Sequence, residues 1–355
     1  FRLPPGTDPQ VAVGQPSAAD TLQIKRLGVR YAQDYSLQSV QASLSVVDYE
    51  YSRNSRYDLV ATNYNLNWDW AVTPQLRGSL YADRSETVNN FEDADALASG
   101  KNRRLRTSQG VNFRYEQDAF WNLLGGVVVS EDRSDEDVTG NDDYRQASVE
   151  GGFRRNFGSG SHATVRGRYT SGRNLTSTQL ADNQFRQYNA QLDLRWVISA
   201  LTVANASLTR LDRAYTGNHA FDYDGFNASA SVQWQPTGKL RLTLSGSSAL
   251  SSYQTSASTH ARTDRLGVQA LWAYSPRTNV GTGISEARLR LLGHPGGGVP
   301  SNRQDDTREV SVNANWAIDN LFTLSSSLVH RKRDSNVSSN DFSGTVFNVG
   351  LNADF

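Results

Sequence analysis

The 355-residue chain contains no cysteine and no methionine. Without cysteine, disulfide scaffolds and thiolate-based metal or redox sites are excluded. Methionine is missing even from the first position, which is Phe1, so we expect translation to begin upstream and a signal peptide to have been removed. Both absences are compatible with a protein that is exported to the periplasm.

Long apolar runs and a net charge are also missing. No segment reaches the roughly 18 consecutive apolar residues of a membrane-spanning helix, and the mean hydropathy is −0.58. The 36 basic residues balance the 36 acidic residues, so no global field points to nucleic acid as a partner. These absences exclude a helical membrane protein. They leave open a membrane β-barrel, whose lipid face needs only alternate apolar residues.

What the sequence does contain is alternation of apolar and polar residues over segments of about 14 to 18 residues, longer than ordinary globular strands. In the final segment one face carries Phe347, Val349, Leu351, Ala353 and Phe355, and the other carries Asn348, Gly350, Asn352 and Asp354. In lipid every backbone polar group must be paired, so strands of this length have to close into a barrel. The pattern predicts an all-β fold, a transmembrane antiparallel up-and-down β-barrel of the bacterial outer membrane.

The ends of these segments distinguish the two rims of the predicted barrel. Short turns alternate with long polar segments along the chain, and in outer-membrane barrels the short turns are periplasmic. Six tryptophans lie beside short turns on the predicted outward face: Trp70, Trp121, Trp196, Trp234, Trp272 and Trp316. Such a repeat predicts an aromatic girdle at the membrane interface. The terminal Phe355 closes its strand in the way that the barrel-assembly machinery favours, which predicts an assembly signal and that machinery as a partner.

Counting gives about 17 strands after residue 20, whereas single-chain bacterial barrels normally have an even number of strands. We therefore expect about 18 strands in one domain over residues 1–355, with the first strand largely missing. Residues 1–20 are predicted to be the tip of that strand and the first external loop, and residues 21–355 the barrel strands.

The polar face of the strands is expected to line the lumen. Its predicted charged residues are Arg30, Arg77, Arg114, Arg154, Arg166, Arg168, Arg195, Arg241, Asp69, Asp83, Glu116, Glu150 and Asp193. Amides on the same face are Asn63, Asn65, Asn67, Asn112, Asn227, Asn313, Asn348 and Asn352. In one interpretation the arginines attract an anionic glycan along a hydrated path. In the other, arginines and carboxylates pair across strands and hold the wall together.

The sequence offers no strong sign of an enzyme or of a bound cofactor. Most of the five histidines fall in turns or loops, and no G-x-S-x-G motif accompanies them. A protease or lipase is the weaker alternative, in which His219 and His260 meet Asp222 and Asp264 at the outer rim.

An acidic segment, residues 131–143, is the only candidate for a cation site. It could hold Ca²⁺, which prefers clustered oxygen ligands, but its order does not match an EF-hand loop. A solvated external loop bridged by divalent ions to lipopolysaccharide is the favoured interpretation, so no protein metal site is predicted.

Four short stretches carry a resemblance to a known family. They are Phe1-Arg2-Leu3-Pro4, Tyr35-Ser36-Leu37-Gln38, Trp70-Ala71-Val72-Thr73-Pro74-Gln75-Leu76-Arg77-Gly78 and Asp83-Arg84. They resemble the EpsL-like outer-membrane proteins encoded with exopolysaccharide biosynthesis systems of the exosortase (PEP-CTERM) type, most strongly over residues 1–130. The resemblance implies an initial strand before Phe1 and an outer-membrane role in polysaccharide export. The shared motifs are turn and strand-edge sequences and contain no catalytic signature.

Fold and resemblance together predict a passive channel for a secreted exopolysaccharide. Its expected partners are the polysaccharide, outer-membrane lipid and lipopolysaccharide, the barrel-assembly machinery and periplasmic export components. A general diffusion porin for small solutes is the first alternative, which a constriction loop inside the lumen would favour. A structural or adhesive barrel is the second, which large apolar external loops would favour.

Overall fold

Seventeen strands make up about two thirds of the chain in the computed structural model, which describes residues 8, 10, 19–88, 103–134, 143–175, 184–217, 219–253, 257–295 and 301–354. The strands are β1 (Leu22–Tyr35), β2 (Gln38–Tyr51), β3 (Leu59–Ala71), β4 (Leu76–Val88), β5 (Arg103–Glu116), β6 (Trp121–Ser134), β7 (Tyr144–Asn156), β8 (His162–Asn174), β9 (Gln184–Ser199), β10 (Thr202–Tyr215), β11 (Tyr223–Trp234), β12 (Leu240–Ser252), β13 (His260–Ser275), β14 (Thr278–Leu292), β15 (Gln304–Ala317), β16 (Phe322–Ser335) and β17 (Phe342–Ala353). Three 3₁₀ turns complete the elements: Ser55–Tyr57, His219–Phe221 and Ser338–Asn340. Among the described residues, no helix has the length and apolar character to cross a membrane.

Each strand pairs antiparallel with the next strand along the chain, from β1–β2 through to β16–β17. This is the up-and-down arrangement that the alternating pattern predicted. The all-β fold class and the 17 strands after residue 20 are both confirmed.

β1 and β17 are the two ends of this strand order. No register joins them in the described residues, and every residue of β1 is exposed. The two strands run in the same direction, so an antiparallel closure needs one more strand of opposite direction between them. The predicted first strand and the loop up to residue 20 fall largely outside the described residues, as does Phe355. The eighteenth strand and the assembly signal therefore stay predictions.

Connections of two to five residues alternate with connections of six to fourteen residues, as the sequence predicted. We call the ends of the barrel that carry them the short-turn rim and the long-turn rim. At the short-turn rim, the Asp118 carboxylate accepts hydrogen bonds from the amides of Phe120 and Trp121, both 2.7 Å long. Asp319 does the same for Leu321 and Phe322. Such local bonds let the chain reverse within a few residues.

The outward face is apolar and open to the surroundings. In β17, Phe347 is 67% exposed and Leu351 is 62% exposed, which is far more apolar surface than a soluble protein leaves uncovered. The six predicted girdle tryptophans all lie on this face beside the short-turn rim. Five of them are exposed, and Trp70 is partly covered by its own strand pair. The apolar face is what a barrel surrounded by lipid requires.

The compact core of buried residues lies near the long-turn rim. The 3₁₀ turn at 219–221 folds Phe221 against a cluster from β9 to β12. The members of this cluster are Phe185, Leu211, Tyr215, Phe221, Tyr223 and Leu250. Tertiary packing therefore fixes this external connection to the wall.

Two glycines of the outward face lie under aromatic rings. The Trp70 ring covers Gly78, where a Cβ atom would lie 2.6 Å from Cζ2 of the indole, and the Phe113 ring covers Gly125 in the same way. A ring on one strand that fills the space over a glycine of its neighbour tightens the pair of strands.

We predict that Gly125→Val lowers the free energy of unfolding by about 1–3 kcal/mol, because a side chain there overlaps the Phe113 ring. The measurement is urea unfolding in lipid vesicles, followed by tryptophan fluorescence. Gly167→Val is the matched control, since Gly167 has open space beside it on the same face. Equal loss of stability in both variants would contradict the ring-over-glycine account.

Candidate functional site

The register of the sheet assigns every strand residue to one face. Residues opposite each other on paired strands point to the same side, and Asn65 lies opposite both Ser43 and Asp83. Following the pairs around the barrel places all the predicted charged residues on the face opposite the tryptophans, which is the lumen face. The eight predicted lumen asparagines lie on the same face.

The lumen face carries further charges that the sequence reasoning did not single out. The added residues are Arg26, Arg104, Arg106, Arg213, Arg265, Arg331, Arg333, Asp34, Asp132, Asp305 and Glu309. Most of them lie near the long-turn rim, where the sequence does not show whether a residue belongs to a strand or to a loop. The alternating pattern would have predicted them if each predicted strand had been extended by about four residues.

Charge is unevenly distributed between the strands and the connecting segments of this protein. The strands place 15 arginines and nine carboxylates on the lumen face, an excess of six positive charges, although the chain as a whole is neutral. Outside the strands, seven basic residues stand against 17 acidic residues. The channel wall is therefore basic, and the connecting segments are acidic.

Four of the eight predicted arginines pair with carboxylates, three of them across neighbouring strands and Arg114 within β5. Glu150 accepts a 2.9 Å hydrogen bond from Arg168 Nε and lies 3.5 Å from Arg166. Glu116 lies 3.5 Å from Arg77 and 3.1 Å from Arg114. For these four arginines the wall-pairing interpretation describes the structure.

The other four arginines make no ion pair in the described part of the chain. Arg30, Arg195 and Arg241 are exposed to the lumen, and Arg154 donates a 3.2 Å hydrogen bond to Thr164 Oγ1. Of the predicted acids, Asp69 accepts a 2.9 Å bond from the Asn67 amide. These arginines are the positive charges that a solute in the lumen can reach.

Buried ion pairs reinforce the long-turn rim. Asp132 is 1% exposed and binds Arg104 Nε at 2.6 Å and Arg106 at 2.8 Å. Nearby, Asp143 accepts two 2.9 Å bonds from the Ser134 amide, and burial raises the pKa of the Asp143 carboxyl. Both acids belong to the segment considered for Ca²⁺, and the structure uses them to fix the wall. Residues 135–142 of that segment lie outside the described residues.

The histidines and acids of the enzyme alternative are not brought together. His219 Nδ1 lies 3.0 Å from Asp222, but His260 stacks on the Tyr223 ring at 4.9 Å, and Asp264 binds Arg290. No group of three or more metal-binding side chains occurs in the described ranges. The outer-rim site of that alternative is therefore not formed by the residues expected to make it.

The second half of the barrel wall is hydroxyl-rich and carries fewer charged residues than the first half. On β10 to β17 the lumen face is dominated by serine, threonine, asparagine and glutamine, with serines at 207, 229, 231, 245, 247, 285, 311, 325 and 327. A shallow recess of about 410 Å³ lies in this wall, between Arg195 on one side and Arg265 on the other. Short hydroxyl side chains keep this part of the wall thin and able to both donate and accept hydrogen bonds.

No described element packs across the lumen, since the extensive contacts of each strand are with its neighbours in chain order and those of each 3₁₀ turn are with an adjacent strand. A barrel of about 16 to 18 strands is wide enough to leave an aqueous channel. Neither a family model nor a curated protein matches the chain.

Solved structures do match over almost the whole chain. The alcaligin outer-membrane receptor FauA of Bordetella pertussis aligns with 93% of this chain and 62% of its own, at 13% identity and a TM-score of 0.52. The FrpB iron transporter of Neisseria meningitidis aligns with 98% and 68%, at 11% identity and 0.57. The ferric-catecholate import receptor Fiu of E. coli K12 aligns with 93% and 67%, at 8% identity and 0.56.

The chain has the fold of a bacterial outer-membrane β-barrel. It spans about two thirds of the length of the matched structures. The exposed apolar belt agrees with an outer-membrane location, and the matched proteins are themselves outer-membrane receptors and transporters. At these identities the likeness concerns the fold.

We predict that Asp132→Asn lowers the free energy of unfolding by about 2–3 kcal/mol, because Arg104 and Arg106 lose the charge of a carboxylate that is itself only 1% exposed. Urea unfolding in vesicles measures this. Asp224→Asn removes one partner of an exposed pair with Arg210 and is expected to change stability by about 1 kcal/mol or less. Comparable losses in the two variants would show that burial does not set the strength of these pairs.

We predict that the purified protein prefers anions in planar bilayers, because the lumen face is basic. The reversal potential in a KCl gradient should show a stronger preference near 0.1 M than near 1 M salt, since the screening length falls from about 10 Å to about 3 Å. Arg154→Glu combined with Arg241→Glu should reduce the preference. Arg173→Glu with Arg186→Glu makes the same charge change on the outward face, and an equal effect of that pair would contradict the lumen assignment.

Proposed function

We propose that this barrel is a passive outer-membrane conduit for a secreted exopolysaccharide. The observation that carries the proposal is the composition of the lumen wall, which is polar from β1 to β17, with a charged arc and a hydroxyl-rich arc. The resemblance of residues 1–130 to EpsL-like proteins supports the same role. The fold by itself favours outer-membrane transport, which is a more general function than polysaccharide export.

A glycan chain in such a lumen would exchange hydrogen bonds with the wall as it moves. Conduction needs many weak sites in place of one tight site. Side chains such as Ser245, Ser311 and Asn348 offer hydroxyl and amide groups at successive positions around the wall. Because these side chains are short, they bind a passing sugar without closing the channel.

The driving force would come from outside the barrel. The sequence contains no G-x-x-x-x-G-K-[ST] phosphate loop, and Gly296-Gly297-Gly298 lacks the lysine and the hydroxyl residue of such a loop. Polymer synthesis and the inner-membrane machinery would push the chain, while the barrel supplies the path.

A general diffusion porin is the second candidate. It is favoured by a lumen that no described element crosses and by the basic wall, which suits small anions as well as glycans. The long segments 89–102 and 135–142, where a constriction loop would lie, fall outside the described residues. Nothing in the described residues favours the adhesive alternative.

We predict that deletion of the gene lowers extracellular polysaccharide several-fold and leaves polymer in the periplasm, because the conduit is missing. The measurement is glycan in the medium and in periplasmic extracts, by uronic-acid and total-hexose assays. Complementation with the Asp224→Asn chain should restore secretion, since this variant keeps the lumen wall intact. Normal secretion by the deletion strain would refute the export role and leave the porin.

A further inference from the structure

The recess between Arg195 and Arg265 is built from two rows of facing residues on β9 to β13. One row is Asp193, Ser207, Ser229, Ser247 and Arg265, and the next is Arg195, Asn205, Ser231, Ser245 and Gly267. Five serines thus form a floor with an arginine at each end. The arginine ends are four strands apart, which is about 19 Å along the wall at the usual strand spacing.

The charge of the recess is positive. Arg195 and Arg265 are both exposed to the lumen and make no ion pair in the described residues. The carboxylate of the recess, Asp193, is already occupied. It accepts bonds from Ser207 Oγ at 2.7 Å, Gln191 Nε2 at 2.8 Å and Arg166 at 3.3 Å. Two arginines therefore remain for a ligand, and the acid beside them is neutralised by the wall.

We propose that this recess is a binding subsite for a run of acidic sugar units in the exported glycan. The proposal rests on the proposed function and adds the substrate class, a polysaccharide that carries carboxylates. Each arginine binds the carboxylate of a different sugar, and the serine floor exchanges hydrogen bonds with the hydroxyls of the units between them. A small anion cannot reach both arginines, so the site selects a polymer over a monomer.

The position of the recess suits a chain that enters from the periplasm. Arg195 lies four residues before the end of β9, and Asn205 lies three residues after the start of β10. Both are close to the short-turn rim, which is the periplasmic rim of outer-membrane barrels. The floor contains serine and asparagine, and the imidazole of His162 lines it beside Arg195, so its chemistry favours polar, charged sugars.

A general positive field in the lumen is the alternative to a localised subsite. Arg26 and Arg30 provide a matched comparison, because they lie on the lumen face of β1, are exposed and make no ion pair in the described part. Removing two charges there lowers the overall field by the same amount but leaves the recess intact.

The test is block of ionic current through the purified full-length protein in planar bilayers. The probes are oligogalacturonates long enough to span both arginines, maltooligosaccharides of equal length and monomeric galacturonate. We expect the oligogalacturonates to block at lower concentration than either other probe. Arg195→Gln with Arg265→Gln should raise their half-blocking concentration about tenfold or more, whereas Arg26→Gln with Arg30→Gln should change it less than about twofold. Heat-dependent gel migration checks that each variant is folded.

Three outcomes would overturn the subsite. Equal loss of block in both double variants would assign it to the general field, and equal block by monomer and oligomer would assign it to a small-anion site. If maltooligosaccharides block as strongly as oligogalacturonates, the recess does not select acidic sugars, and the barrel is a conduit for a neutral glycan. These outcomes are measured separately from secretion by the deletion strain, so failure of the subsite can be distinguished from failure of the export role.

Discussion

The pairing of every backbone N–H and C=O group in lipid is the constraint on which this structure depends. A strand surrounded by acyl chains has no water to satisfy its polar groups, so each strand must have a partner on both edges. The chain meets this demand with antiparallel neighbours from β1 to β17. The strands at the two ends of this order, β1 and β17, run in the same direction, and no pairing joins them in the described residues. Length, alternation and turn placement in the sequence all follow from this one requirement.

A second feature of the structure is the uneven distribution of charge along the chain. Because the acidic residues are concentrated in the connecting segments, a chain with no net charge can present a basic channel wall. The charges on the wall have two uses. Residues such as Arg168 and Asp132 are bound in pairs that hold neighbouring strands together. Others, such as Arg195 and Arg265, are left free for a solute, and they flank the hydroxyl-rich wall.

Much of the candidate site could be predicted from the sequence, because period-2 alternation places each central residue on a face without further information. Arg195 and Glu150 lie on the face opposite the tryptophans, where the alternation places them. Arg265 and Asp132 were missed, because near a strand end the sequence does not show where the strand stops. Which arginines are free could not be predicted either. Arg166 and Arg195 look alike in sequence, and only the register puts Glu150 and Asp193 within reach of Arg166.

The sequence by itself determined the membrane, the seventeen strands after residue 20 and the two faces of the wall, because these depend on local periodicity and on turn length. The tertiary structure decided the relations between distant strands. In the folded protein Phe221 packs against a cluster from four strands, Asp143 accepts hydrogen bonds from the Ser134 amide, and the His260 ring stacks on the Tyr223 ring. The tertiary structure also formed the recess between Arg195 and Arg265, whose residues come from six strands. Such contacts depend on how far each strand is shifted along its neighbour. This shift is a property of the paired sheet and cannot be read from a single segment of sequence.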